Sequence, residues 1–331
     1  MSEGNDDARI LATGKLPPAL LARLIAGERP PEVLLAPAIG EDAGAVALAG
    51  GALIAASDPV TLTGQGVGAH AVVVNANDIA VMGVRPRWFV ATVLLPEGTS
   101  EGEVVALFAG MHECLDRLGV SLISGHTEVT ASVRRPVVVG TMLGFAADGR
   151  FVRTGGLAPG DVVLQIGPAP VEAAAVLAAE AALGGLDAGL RAAAARALDD
   201  PGIAVIEPAL CAAAHGAVAM HDPTEGGLSA GLHEMAEASG CALVVDGEAV
   251  LWFAPGVAAA RVVGANPWGV LASGTLLAGF RPGDVAAARA ALAGFAVAPI
   301  AVAEPGAGVR LRGGGALARY DRDEVARVLS A

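Results

Sequence analysis

The stretch Val72–Gly83, VVVNANDIAVMG, decides how the chain is read. Its flanks are wholly apolar, so it belongs in an interior, yet Asn75, Asn77 and Asp78 interrupt it. A buried amide or carboxylate without a partner costs roughly a few kcal/mol, so these three side chains need partners. A helix over Gly66–Gly83 puts Asn75, Asp78 and Met82 at i, i+3 and i+7, on one face. Two readings of that face stay open. It is either a satisfied structural network at a helix edge, or a ligand or metal site reached from one side.

Outward from this helix, elements alternate. GALIAAS (Gly51–Ser57) is a strand running into Asp58, WFVATVLLP (Trp88–Pro96) is a strand, and Glu101–Gly119 is an amphipathic helix. VSLISG (Val120–Gly125) and PVVVGTMLGFA (Pro136–Ala146) are further strands, giving a βαβαββ-like order and an α/β or α+β layer. The glycine-rich TGGLAPG (Thr154–Gly160) is the expected hinge, dividing the chain into 1–154 and 155–331. Beyond it the sequence predicts a strand at Asp161–Gly167 and Ala-rich helices over Pro170–Ala182 and Leu190–Leu198. A helix over Ile203–His215 follows, then a strand–turn–helix over Ala217–Gly240. In that last helix Leu228, Leu232 and Met235 form a core stripe. Strands are expected in CALVVDG, WGVLASGTLLAGF and VAPIAVAEP.

Composition narrows the function classes. The 331 residues carry 34 Asp and Glu against 21 Lys and Arg, a net charge of −13. A polyanion binder needs clustered cations, whereas Lys15 is the sole lysine and the arginines are scattered, so no nucleic-acid partner is expected. The 54% hydrophobic content supports an ample core, and the length suits two domains. No apolar run reaches the ~18–20 residues of a membrane helix, and the acidic MSEGNDDARI start lacks a signal-peptide pattern. Cys114, Cys211 and Cys241 are far apart and form no CxxC, so the expectation is a soluble cytoplasmic protein with reduced thiols. GxxxxGK[ST] and GxSxG are absent, and GQGVG (Gly64–Gly68) breaks the GxGxxG spacing.

The acidic residues then gain interest as a set. Glu41 and Asp42 in IGEDAGAVAL, Asp58, Asp78, and Glu128 in SGHTEV offer hard oxygen donors of the kind magnesium takes when it holds nucleotide phosphates. In MHDPTEGGLSAGL, Asp222 and Thr224 precede Gly226 and Gly227 at a helix start. That pattern is either an N-cap or a phosphate position at the positive end of the helix dipole. His221 beside it is a packed, capping or catalytic histidine.

Together, IGEDAG (Ile39–Gly44), SDPV (Ser57–Val60), NANDIAVMGVRP (Asn75–Pro86), SGHTEV (Ser124–Val129), HDPTEGGL (His221–Leu228) and LASGTLL (Leu271–Leu277) resemble the aminoimidazole ribonucleotide synthetase-like (PurM-like) ATP-using superfamily. The likeness is nearest to its hydrogenase expression/formation (maturation) members and, further off, to thiamine-monophosphate kinase. The resemblance implies a two-domain PurM-like fold: an N-terminal α/β domain whose sheet pairs with a second subunit, and a C-terminal α+β domain. ATP would lie in the cleft of that homodimer. It further implies magnesium on Asp42, Asp58 and Asp78 with Glu41 close by, cofactor contacts from Asn75, Asn77, Gly125, Thr127, Gly226 and Gly227, and catalytic work by His221, Asp222 and Thr224.

Two departures bear on this. His126 stands where the family usually has a metal-binding Asp. Either Glu128, on the same strand face, supplies the missing oxygen, or the site takes fewer ions or a different metal. The sequence ends RDEVARVLSA without the terminal cysteine of the maturation proteins, so their carbamoyl chemistry is not expected. The expected activity is therefore ATP-dependent, magnesium-requiring activation of a carbonyl, amide or phosphate oxygen of a small-molecule substrate, with release of ADP. A thiamine-monophosphate-kinase-like phosphotransferase, or a nucleotide-binding maturation or assembly partner without catalysis, are the alternatives.

Overall fold

The structure is a computed structural model that describes residues 16–26, 30–61, 66–180, 183–320 and 322–330. Lys15, Gly64 and Gln65 of GQGVG, and the expected end of the Ala-rich helix at Ala182 lie outside the described residues. In chain order the first half runs α1 (Pro18–Leu24), β1 (Val33–Leu35), β2 (Gly44–Leu48), β3 (Gly51–Ala56), β4 (Pro59–Val60) and α2 (Val67–Val81). It continues with β5 (Pro86–Leu95), α3 (Glu101–Leu118), β6 (Ser121–Val129) and β7 (Val137–Ala146). These strands make one sheet of order β1-β2-β3-β7-β5-β6, with β4 paired to β7. Only β5–β6 is parallel among its pairings.

The second half runs β8 (Val162–Ile166), α4 (Glu172–Glu180), α5 (Ala188–Ala195), α6 (Ile206–Ala214), β9 (Ala219–His221), α7 (Gly227–Ser239) and β10 (Ala242–Val245). It closes with α8 (Ala254–Val262), β11 (Leu276–Phe280), α9 (Val285–Ala291), β12 (Val297–Glu304), β13 (Gly308–Leu311) and α10 (Glu324–Leu329). Its sheet has the order β13-β10-β12-β8-β11-β9.

Local chemistry explains the clearest elements. Ser100 and Glu103 close a capping box at the start of α3, and Gly119 in the left-handed region ends it. β7 alternates half-buried and buried residues along its length, as a strand with one core face must. By contrast α2 is buried nearly all round, because β7, α3 and α6 pack against it. Several elements carried no signal that was read: α1, β1, β2, β4, α8, α9, β13 and α10. The strand expected from Trp268 begins only at Leu276, since the residues before it turn to cross α7.

Polar ties from α2 join the halves. Asn77 donates from Nδ2 to the Ile203 carbonyl (2.8 Å) and accepts from Val205 N–H (2.9 Å), with no exposure. His70 Nε2 lies 3.0 Å from Glu172 Oε1, and Ser273 Oγ donates to the other oxygen of that carboxylate. One apolar core runs through both sheets, from Ile54, Phe89 and Met142 to Ile206, Met220 and Phe280. Replacing Asn77 by Ala strands two buried backbone groups, so Asn77→Ala is expected to lower stability by about 2–4 kcal/mol in chemical denaturation.

Candidate functional site

A cavity of about 380 Å³ opens where the loop before β2, the N-terminal part of α7 and the residues before α10 meet. His221, the last residue of β9, sits at its base and is 5% exposed. Its Nδ1 lies 2.7 Å from Asp42 Oδ1, and its Nε2 lies 2.8 Å from Glu234 Oε2. Both nitrogens face carboxylates, so both must carry protons to be satisfied. Burial pulls the imidazole pKa down, but Asp42 and then Glu234 overcome it, and the net result lies well above the ordinary value. The site thus contains a buried imidazolium clamped between a loop of the first half and a helix of the second.

Asp222 follows directly, 2% exposed, with neither carboxylate oxygen hydrogen-bonded. Burial drives its pKa well up, the neighbouring Asp42 and Asp58 carboxylates add to that, and His221 opposes it. An orphaned buried carboxylate on a cavity wall calls for a cation or a donor. Asp58 and the nearly buried Asp78 line the same cavity. Among the described residues no three His, Cys, Asp or Glu side chains converge as a ready-made metal cage. Magnesium nevertheless fits this donor set, since it commonly takes one or two carboxylates and fills its remaining positions with water and phosphate oxygens.

Asn75 turns out to be a clamp for Asp58. Its Oδ1 accepts from Asp58 N–H (2.9 Å), and its Nδ2 donates to the carbonyls of Asp58 (3.2 Å) and Ala71 (2.9 Å). Gly140 completes the fit, because a Cβ there would lie 2.4 Å from Asn75 Nδ2. Asn75 and Asn77 are fully buried, and the hydrogen bonds of their amides go to backbone. Expected to contact a cofactor, both amides are placed on backbone partners, and of the described residues of that helix Asp78 lines the cavity.

Other expected residues are also redirected. Glu41, expected near a metal, accepts from Arg153 Nη2 (2.9 Å) and from the Thr154 N–H. Gly226 N–H donates to Asp323 Oδ2 (2.8 Å) and Gly227 N–H to the Thr224 carbonyl (3.1 Å), so both amides expected to meet a phosphate already have acceptors. Gly227 also has a steric reason to be glycine: its φ is +68°, and a Cβ would come within 2.5 Å of the Val270 carbonyl oxygen. Gly125, His126, Thr127 and Glu128 lie on β6, the edge of the first sheet, and are exposed. His126 Nε2 and Glu128 Oε2 are 3.2 Å apart, as their shared face predicts, but within one chain they are not among the residues lining the cavity.

Three contributors escaped the sequence reading: Glu234, Arg153 and Asp323. Glu234 had a readable signal, because Ala230 and Glu234 fall at i and i+4 on the face of α7 away from its core stripe. Asp323 caps α10, a helix too short to show periodicity.

The arrangement is that of an acid-lined cleft between two mixed αβ halves joined by a buried ion triad. Comparison with known proteins places it. The AIR synthase-related protein N-terminal domain matches residues 40–146, and the C-terminal domain of the same family matches residues 158–314. The chain is 30% identical over 221 residues to the carbamoyl dehydratase HypE of Rhodobacter capsulatus, covering 66% of this chain and 63% of that relative. It is 34% identical over 287 residues to the thiamine-monophosphate kinase of Mycobacterium tuberculosis, covering 77% of each. A solved structure of the hydrogenase maturation protein HypE in complex with ATP superposes with a TM-score of 0.66 at 20% identity, covering 83% of this chain and 87% of that one. The chain belongs to the AIR synthase-related family and has its two-domain PurM-like fold.

The protonated triad has a consequence for stability. A histidine whose folded pKa is raised stabilises fully below its unfolded value near ~6.5 and loses that contribution as pH rises through the folded value. Asp222, raised as well, loses stability as pH climbs from its unfolded value near ~3.9 toward its folded value, so it pushes the same way. The melting temperature of the metal-free protein is therefore expected to fall from about pH 7 upward, and His221→Gln to flatten that slope in a pH-resolved thermal melt.

Proposed function

We propose that the chain is an ATP-dependent, magnesium-requiring enzyme that uses the γ-phosphate to activate a carbonyl, amide or phosphate oxygen of a small molecule, forming ADP. The observation that carries this reading is Asp222, a buried carboxylate with both oxygens unpartnered, beside Asp58 and Asp78 on one cavity wall. Family membership and the ATP-bound HypE structure support the nucleotide.

Asp58, Asp78 and Asp222 would hold magnesium, and when bound the ion supplies charge neutralisation on the phosphates. Asn75 fixes the backbone that presents Asp58, and α2 carries Asp78 to the cavity. His221 orients Asp42 from across the cleft and keeps a positive charge next to the carboxylates. Thr224, on the cavity wall after Asp222, is positioned to meet the acceptor. Alignment supplies most of the rate in such chemistry, which suits a site held by so many backbone ties.

The exposed β6 edge, with Ile123 and Val129 each more than half exposed, supports a homodimer that pairs through this strand and brings His126 and Glu128 to an interface. The hinge at Thr154–Gly160 is proposed as the domain boundary; the first family match ends before it, at residue 146, and the second begins within it, at residue 158. Among the described residues no helix is long and apolar enough to cross a membrane.

A kinase that hands the phosphate to its acceptor and leaves it there is the second reading. It is favoured by the longer and higher-identity match to the thiamine-monophosphate kinase.

Purified protein with ATP, magnesium and candidate acceptors is expected to release ADP, and Asp78→Asn and Asp222→Asn to lower that release about 100-fold. Unchanged turnover in either variant would remove that residue from the metal set. A phosphorylated acceptor that accumulates selects the kinase reading. Ile123→Asp is expected to shift the sedimentation of a dimer toward monomer.

A further inference from the structure

Leu317–Tyr320, ahead of α10, run along α7 as a strap. Ser229 Oγ donates to the Ala318 carbonyl, His233 Nε2 lies 3.1 Å from the Leu317 carbonyl, and Arg319 pairs with Glu237. Tyr320 covers Gly269 so closely that a Cβ there would come within 2.5 Å of the ring. Asp323, 4% exposed, then delivers its carboxylate to the first turn: Oδ2 accepts from Gly226 N–H (2.8 Å), while Oδ1 accepts from Val325 N–H (2.8 Å) and caps α10. Val325, fully buried, anchors α10 against α4 and α8.

A carboxylate at this point sits at the positive end of the thirteen-residue helix α7, where an anionic ligand is otherwise most favoured. A second observation marks the same cavity as a ligand position. Asp222, four residues before Gly226, is buried on its wall with two unpartnered oxygens, so a cation that accompanies an anion has a place beside it.

We propose that the C-terminal strap is autoinhibitory: the Asp323 carboxylate stands in for a phosphate at the start of α7, and a polyphosphate ligand gains Gly226 N–H only when Asp323 withdraws. This rests on the ATP reading for the identity of the natural ligand, but the competition itself concerns any polyphosphate. It also accounts for the correction above, in which the Gly226 amide meets an acceptor from its own chain. The Asp323 carboxyl is raised to about 7, the net of burial that drives it up, the two amides that pull it down, and Glu225 and Glu172 that add to the rise. A group in that balance is held at the helix end less firmly than a fully ionised one.

The test is calorimetric titration of the full chain with magnesium-ATP and, separately, with inorganic tripolyphosphate. Asp323→Ser keeps a cap for Val325 N–H but is too short to reach Gly226, and Asp323→Asn keeps the shape without the charge. Cooperative melting verifies that each variant is folded. Both are expected to bind tripolyphosphate about 3–10-fold more tightly than the parent protein. Equal or weaker binding in folded variants overturns the strap. If the parent binds magnesium-ATP and the variants bind it no better, the ATP reading stands and the strap falls. If tripolyphosphate binding tightens but ATP is not bound at all, the strap stands and the ATP reading falls. No binding of either anion by any form overturns both.

Discussion

His221 holds a carboxylate on each ring nitrogen, and the geometry of the cleft follows from that sandwich. Asp42 comes from the loop before β2, His221 from the end of β9 and Glu234 from α7, so one ring ties three elements of two halves. The backbone is drawn in with it: Gly40, at φ +79°, lies so close to α7 that a Cβ would come 3.0 Å from the Glu234 Cβ. Buried ion pairs often add little net stability, because desolvating the charges offsets their attraction. Their value here is positional, since a displaced Asp42 or Glu234 would leave a buried charge unmatched. The charge of the same imidazolium opposes the rise in the Asp222 pKa, which helps make the orphaned carboxyl tolerable in a folded chain.

The helix α2 supplies the complementary constraint. Three of its polar side chains reach outward to fixed backbone or side-chain partners: His70 to Glu172, Asn75 to Asp58, and Asn77 to the segment after α5. In the Glu172 carboxyl, burial raises the pKa, yet the hydrogen bond and charge of His70 and the hydroxyl of Ser273 bring it below the ordinary value. Asp78, one turn after Asn75, is the side chain of that face which faces the cavity. The amides build the scaffold, and the carboxylate meets the cleft.

Much of the site was legible because its residues are chemically out of place. Asp78 interrupts an apolar helix and Asp222 precedes a glycine pair, and both anomalies survive folding as cavity-lining carboxylates. The partners of those residues were not legible, because pairing depends on distance in space. Nothing in IGEDAG says that Asp42 will meet His221, 179 positions later, or that Glu41 will turn to Arg153. The short elements escaped for a different reason: α9 and α10 have seven and six residues, too few for a 3.6-residue period to declare itself.

By itself the sequence determined the order of the long elements, the acidic character of the cleft and the family, because hydrophobic period, charge and motif spacing are all local properties. Tertiary structure alone decided which acids line the cleft and which turn to partners elsewhere. It turned Asn75 and Asn77 into scaffold, set β6 with His126 and Glu128 at an exposed edge, and put Asp323 on the Gly226 amide. The physical reason is that a buried polar group must find its partner wherever the packed chain brings one within about 3 Å, and sequence separation places no limit on where that is.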